Sequence, residues 1–139
     1  MTEPRSGHRG VPHTADLRIE AWASTLQACL REAVAALIDS VADTTDAAPE
    51  TTFDTEVPVR DDQDALVRVL DEVIYLLDVE GMVPLDAEVV ETERGYRLRM
   101  PAVSVRSVEV STVPKAVTLQ DLGCEFDGRQ WSCAATIDV

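Results

Sequence analysis

The sequence predicts one α+β domain in which two amphipathic helices pack against or between β-sheets and the chain closes in a C-terminal β-hairpin. Three observations lead there. Two stretches carry apolar residues at three- and four-residue spacing, several shorter segments alternate apolar and polar side chains, and Asp127-Gly128 separates the last two of those segments. A chain of 139 residues is long enough to bury a core without disulfide staples, and 45% hydrophobic residues exclude wholesale disorder.

Residues 1–11 read as a flexible tail, because Pro4, Gly7, Gly10 and Pro12 interrupt any periodicity, and the folded domain is expected over 12–139. Leu17 to Ala23 alternates with the period of a half-buried strand. Ser24 is the expected N-cap of the first helix, whose stripe runs through Leu26, Cys29, Leu30, Ala33, Val34, Leu37, Ile38 and Val41. Burying each large aliphatic contributes ~1.5–3 kcal/mol, which assigns this helix to the core. A loop rich in Asp, Thr, Ala and Pro follows from Ala42 to Glu50, then a strand from Phe53 to Val59. Asp61 or Asp62 caps the second helix, with Leu66, Val69, Leu70, Val73, Ile74 and Leu77 turned inward and Gly81 as its stop. Ala87–Thr92 and Tyr96–Met100 form strands joined around Arg94-Gly95, and Val103–Val110 alternates as a further strand. Ala116–Phe126 and Gln130–Val139 complete the chain as the hairpin around Asp127-Gly128, giving about six or seven strands in all.

Charge narrows the function. A net charge of −14, with 26 acidic against 12 basic residues, opposes direct nucleic-acid binding, which depends on neutralising phosphates. It favours encounter with cations or a basic protein, and it equally suits a chain kept soluble in high salt. No apolar run approaches the ~20 residues of a membrane span, and no apolar leader core follows Met1, so neither membrane insertion nor secretion is expected. Cys29, Cys124 and Cys133, an odd number without metal-ligand spacing, fit a reducing interior and a cytoplasmic location. Cys29 lies within the helical stripe, and Cys124 and Cys133 share a hairpin face near Trp131, so all three read as core rather than redox residues. His8 and His13 are too few to argue a zinc site.

Among twelve basic residues only Lys115 is a lysine. A compact three-donor ammonium is not exchanged for a planar guanidinium without changing the chemistry, which makes Lys115 the first functional candidate. The plain alternative is a lysine retained by chance. With Asp127 and Gly128 as a two-residue turn, Val117 faces Asp138 and Lys115 lies diagonally from it on one sheet face. A bulge at Gly123 would reverse that parity. An exposed Lys–Asp pair contributes only ~0–1 kcal/mol, so an ordinary ion pair is a weak reason to keep it. The Asp138 side chain and the Val139 carboxylate offer adjacent hard oxygen donors suited to Mg²⁺, Mn²⁺ or Ca²⁺, and Asp16 is the best third carboxylate. By itself, His13-Thr14-Ala15-Asp16 reads as a capped turn before a strand. The chain has no glycine-rich phosphate loop, nucleophile elbow or metalloprotease helix motif, so catalytic machinery of its own is not expected.

In order along the chain stand His13-Thr14-Ala15-Asp16, Ser24-Thr25-Leu26-Gln27-Ala28 opening the first helix, and Leu70-Asp71-Glu72-Val73-Ile74-Tyr75-Leu76-Leu77-Asp78-Val79-Glu80-Gly81. Lys115-Ala116-Val117-Thr118 and a closing Trp131 … Asp138-Val139 follow. This ordered set resembles the archease family across residues 8–139. The resemblance implies an α+β fold with two helices between sheets. It also implies a role: archeases assist the RtcB-type RNA ligase, which joins a 2′,3′-cyclic phosphate or 3′-phosphate end to a 5′-hydroxyl in tRNA splicing and RNA repair. That ligase is first charged with GMP on a histidine, using GTP and a divalent metal, usually manganese. The archease promotes charging and repeated turnover as a protein cofactor, not as an enzyme.

By position, Asp16, Lys115 and Asp138 match the family's functional polar residues. The resemblance implies that the two carboxylates, with Val139, hold a divalent ion (Mn, Mg or Ca) or present acceptors to the ligase's metal centre. Lys115 then neutralises phosphate charge on GTP or orients the carboxylates. The chain departs from the family where an aromatic and a histidine usually follow the lysine motif, since Leu119 and Gln120 stand there. If that histidine is a metal ligand, a neutral amide weakens the site. Asp71 and Glu72 read as solvated, with a part in the ligase contact as the alternative. Two further functions compete: a general chaperone or modulator of RNA-modifying enzymes, which needs exposed apolar surface, and a small metal-dependent hydrolase built on Asp16, Asp138 and Lys115, for which no water-activating base is evident.

Overall fold

A computed structural model describes residues 5–11 and 16–139. In chain order these form β1 (Gly7–Val11), β2 (Asp16–Ala23), α1 (Leu26–Val41), β3 (Ala42–Asp43), β4 (Thr51–Pro58), α2 (Asp62–Tyr75), β5 (Met82–Pro84), β6 (Glu88–Glu91), β7 (Gly95–Ser104), β8 (Glu109–Val110), β9 (Ala116–Phe126) and β10 (Trp131–Asp138). A π-helical turn, Leu76–Glu80, extends α2, and a 3-10 turn, Val105–Ser107, follows β7. His13-Thr14-Ala15, expected as a capped turn, lie outside the described residues.

Every residue of the α1 stripe expected to face inward is buried. Its cap is Thr25 rather than Ser24: Thr25 takes the extended conformation that leaves its hydroxyl free to accept from the Ala28 N–H at 3.1 Å. Asp61 caps α2, accepting from the Asp64 N–H at 2.8 Å, while the Asp64 carboxylate accepts from the Arg60 N–H at 2.9 Å. The helical path stops at Gly81, whose φ of 65° is the left-handed conformation a glycine adopts without a Cβ penalty.

Two larger antiparallel sheets enclose these helices. One has the order β1-β2-β10-β9, the other β4-β7-β5 with β6 beside β5 on the same edge of β7. The helix α1 packs on β1, β2 and β10 and on β6, and α2 packs on β9, β7 and α1, so the helices lie between the sheets. Ile19, Ala21, Ala23, Cys133, Ala135 and Ile137 close the core from one side; Val57, Tyr96, Leu98 and Met100 close it from the other. All three cysteines are free and buried there, with Sγ–Sγ distances of 3.0 Å from Cys29 to Cys133 and 3.4 Å from Cys124 to Cys133. Contact with Cys124 and Cys29, together with burial, pushes the Cys133 thiol up and keeps it protonated.

The structure corrects the sequence reading at other places too. Gly7–Val11, expected in a flexible tail, pairs along β2 from Gly7–Trp22 to Val11–Arg18. His8 fastens that strand to α1, bonding Glu32 through Nδ1 and Asp39 through Nε2, the latter at 2.9 Å. Val103–Val110 is not one strand: Ser104 accepts from the Arg106 N–H at 3.2 Å and turns the backbone before β8 pairs with β3. The hairpin loop is Asp127–Gln130, not two residues, because the Asp127 carboxylate accepts from both Arg129 N–H and Gln130 N–H at 2.8 Å. Phe126 and Trp131 therefore face each other at its base, ring centroids 5.5 Å apart.

Candidate functional site

The register of the first sheet brings distant parts of the sequence into one row. Asp16 at the start of β2 stands directly opposite Asp138 at the end of β10, and Ala116 at the start of β9 stands on the other side of Asp138. Directly paired residues share a sheet face, and here it is the one away from the helices, since Leu17 and Ile137 alternate toward the core. Asp138 is exposed and Asp16 half-buried, and neither carboxylate has a hydrogen-bond or ion-pair partner among the described residues. Two unpaired like charges placed face to face are mildly destabilising in a sheet.

Lys115 reaches this row through its backbone. Its N–H donates to the Asp138 carbonyl at 2.7 Å, immediately before β9 begins. The expected pairing of Val117 with Asp138 is therefore replaced by Ala116 with Asp138, because Leu119–Leu122 form a bulge opposite Ala135. The parity changes with it, and the diagonal Lys115–Asp138 side-chain pair expected from a regular hairpin is not formed: among the described residues Lys115 has no ion pair. Its side chain is exposed, and only its backbone is joined to the row.

As a cation site the row is incomplete by itself. Among the described residues no group of three or more His, Cys, Asp or Glu side chains is placed to hold a metal ion. The donors present, two carboxylates from neighbouring strands with the Val139 main chain next to one of them, are hard oxygens that fit Mg²⁺, Mn²⁺ or Ca²⁺ as part of a coordination shell. Gln120 lies in the bulge and is exposed, as is Leu119, 76% accessible to solvent. The bulge and α2 border a groove that includes Arg60, Arg68, Asp71 and Leu122. Partial burial raises the pKa of Asp71 and of its neighbour Glu72 above the ordinary carboxylate values. A 510 Å³ depression lined by Arg9, Glu20, Trp22, Glu125, Gln130 and Ser132 opens at the other end of the same strands, away from Asp16 and Asp138.

Sequence reasoning missed one residue of this face. Arg18, two positions after Asp16, donates through Nη1 to the Thr136 hydroxyl at 2.9 Å and to the Asp121 carbonyl at 2.8 Å. The spacing of Asp16 and Arg18 along one strand was a usable signal. The Asp121 contact was not, since it depends on the bulge.

Residues 8–139 match the Archease protein family (MTH1598/TM1083). The chain belongs to the archease family. It is 43% identical over 135 residues to the probable protein archease of Mycobacterium tuberculosis, covering 96% of this chain and 75% of that one. It is 30% identical over 138 residues to the protein archease of Archaeoglobus fulgidus, covering 95% and 98%. The fold is that of two solved structures. The solution structure of Methanobacterium thermoautotrophicum protein 1598 superposes with a TM-score of 0.75 at 19% identity, covering 96% of this chain and 99% of that one. The crystal structure of a Thermotoga maritima archease, described as a possible chaperone, superposes with a TM-score of 0.67 at 21% identity, covering 100% and 98%. No helix of the described residues is long and apolar enough to cross a membrane.

Proposed function

We propose that this archease is a protein cofactor of an RtcB-type RNA ligase, promoting the GTP- and divalent-metal-dependent charging of that enzyme with GMP and its repeated turnover in tRNA splicing or RNA repair. The observation that carries the reading is the row in which Asp16 faces Asp138 and the Lys115 N–H bonds the Asp138 carbonyl. Two carboxylates on neighbouring strands have no polar partner among the described residues, and the chain's one lysine is tied to them by its backbone just before β9.

Asp16, Asp138 and Val139 complete the oxygen shell of a Mn²⁺, Mg²⁺ or Ca²⁺ ion, and Lys115 meets phosphate charge on the GTP used by the ligase. The ligase supplies the reacting histidine, so this chain needs no nucleophile. A charge of −14 speeds encounter with a basic, RNA-binding enzyme and keeps RNA itself off this surface, consistent with a cytoplasmic partner protein. The test is the rate at which the cognate ligase takes up labelled GMP with GTP and Mn²⁺. This protein should accelerate uptake, more at low ionic strength than at high; an unchanged rate with an active ligase would overturn the reading. The competing chaperone role needs exposed apolar surface, for which Tyr75, Val79, Val90, Val113, Leu119 and Phe126 are the exposed large hydrophobic residues.

A further inference from the structure

The C-terminal hairpin changes register by three residues between its two ends. Near the loop, Phe126 faces Trp131 and Gly123 faces Ala134; farther along, Thr118 faces Thr136 and Ala116 faces Asp138. Four residues of β9, Leu119–Leu122, thus stand against Ala135 alone. A ladder running uninterrupted from the loop would put Leu119 opposite Asp138 and carry Lys115 about 10 Å past it, three steps of ~3.3 Å. The bulge is what delivers Lys115 to the Asp16–Asp138 row.

That bulge is gripped from across the sheet. Asp121 has a φ of 56°, a left-handed conformation uncommon outside glycine, and its carbonyl accepts from Arg18 Nη1 at 2.8 Å. The same Nη1 donates to the Thr136 hydroxyl at 2.9 Å. Arg18 stands opposite Thr136, and Thr136 opposite Thr118, in the row next to Asp16, Asp138 and Ala116. One guanidinium rooted in β2 therefore reaches over β10 and fastens the irregular part of β9. Both its acceptors are neutral, so the contact is spent on backbone geometry and not on charge pairing.

We infer that Arg18 is a positioning residue for the ligase-activating site: it fixes the Leu119–Leu122 bulge and, through it, the register that sets Lys115 against Asp138. The activity readout for this inference rests on the proposed function; the structural readout does not.

The test compares the wild-type chain, Arg18→Ala, a chain lacking Leu119–Asp121, and that shortened chain carrying Arg18→Ala. Removing those three residues leaves Leu122 opposite Ala135 and keeps Thr118–Thr136 and Ala116–Asp138 paired with no bulge, so Lys115 no longer depends on Arg18. Amide exchange at Lys115 is read by NMR against amides of α1, and ligase stimulation is read on the same samples. Arg18→Ala should speed Lys115 exchange about tenfold, leave α1 protected and reduce stimulation. In the shortened chain the same substitution should change neither. Arg18→Lys, which keeps a charged donor on a different stem, should recover part of the Lys115 protection. Unchanged Lys115 exchange in Arg18→Ala, or equal loss in both backgrounds, would overturn the inference. If the shortened chain does not fold, selective loss at Lys115 still supports it, and uniform loss across α1 overturns it. If the wild type fails to stimulate an active ligase, the functional reading falls, and the exchange data alone decide the role of Arg18.

Discussion

Replacing Asp138 by asparagine should make the fold more stable while removing the proposed activity. Asp138 and Asp16 are directly opposite across an antiparallel ladder and lack polar partners among the described residues. Such positions lie ~5 Å apart, where two unit charges in water repel by roughly 0.8 kcal/mol. Cross-strand pairs bracket the same value at ~0.2–1 kcal/mol. Asparagine keeps the shape and removes the charge, so unfolding free energy should rise by ~0.2–1 kcal/mol in low salt. The gain should fade toward 1 M salt, where the screening length is ~3 Å. Urea unfolding followed by Trp22 and Trp131 fluorescence, in divalent-free buffer at low and high salt, measures both effects. A divalent ion should stabilise the wild type and not the variant. If Asp138→Asn lowers stability in low salt, or its gain is the same at both salt concentrations, the two carboxylates do not oppose one another and this reasoning fails.

Other positions give independent checks. Burial works against protonating His8, but the Glu32 and Asp39 carboxylates outweigh it and hold its pKa above 6.5. Because the folded value is raised, the stability it contributes is fully present below pH 6.5 and lost as pH rises through the folded pKa. His8→Ala should therefore cost up to about 1 kcal/mol at low pH and progressively less in alkaline buffer, read by thermal unfolding across pH 5.5–8.5. A Cβ at Gly95 would lie 2.1 Å from the Val57 carbonyl oxygen, so Gly95→Ala must part β4 from β7 and should cost ~1–3 kcal/mol in urea unfolding. Asp61→Ala removes the acceptor for the Asp64 N–H and should cost ~0.5–2 kcal/mol by the same measurement, with Asp61→Asn close to wild type.

Periodicity made the two helices and most strands legible, because one apolar stripe on a helix or one face of a strand is enough to write the pattern. Asp61 and Gly81 were readable as helix boundaries for the same local reason. The first strand was not, since β1 is held by backbone pairing and by His8 reaching α1, contacts that leave no alternation in Gly7–Val11. The 3-10 turn after β7 was hidden because Val103 and Val105, and then Val108 and Val110, each alternate like a strand, although the phase changes across the turn set by the Ser104 hydroxyl. Asp16, Lys115 and Asp138 were singled out by type and by family resemblance; the structure sets Asp16 opposite Asp138 and joins Lys115 to Asp138 by a backbone hydrogen bond. Their geometry was not identifiable. Asp127-Gly128 marks a hairpin without fixing its loop length, and nothing in Leu119-Gln120-Asp121-Leu122 announces a bulge held by an arginine one hundred residues earlier.

The central claim is that Asp16, Asp138 and Lys115 act on an RNA ligase, and multiple-turnover ligation tests it most directly. The cognate RtcB-type enzyme, with GTP and Mn²⁺, would be assayed alone, with this protein, and with its Lys115→Ala and Asp138→Ala variants after each is shown to be folded. Many product molecules per ligase are expected with the wild type and about one with either variant or with no addition. Equal stimulation by all three proteins would contradict the site, and no stimulation by the wild type would contradict the function.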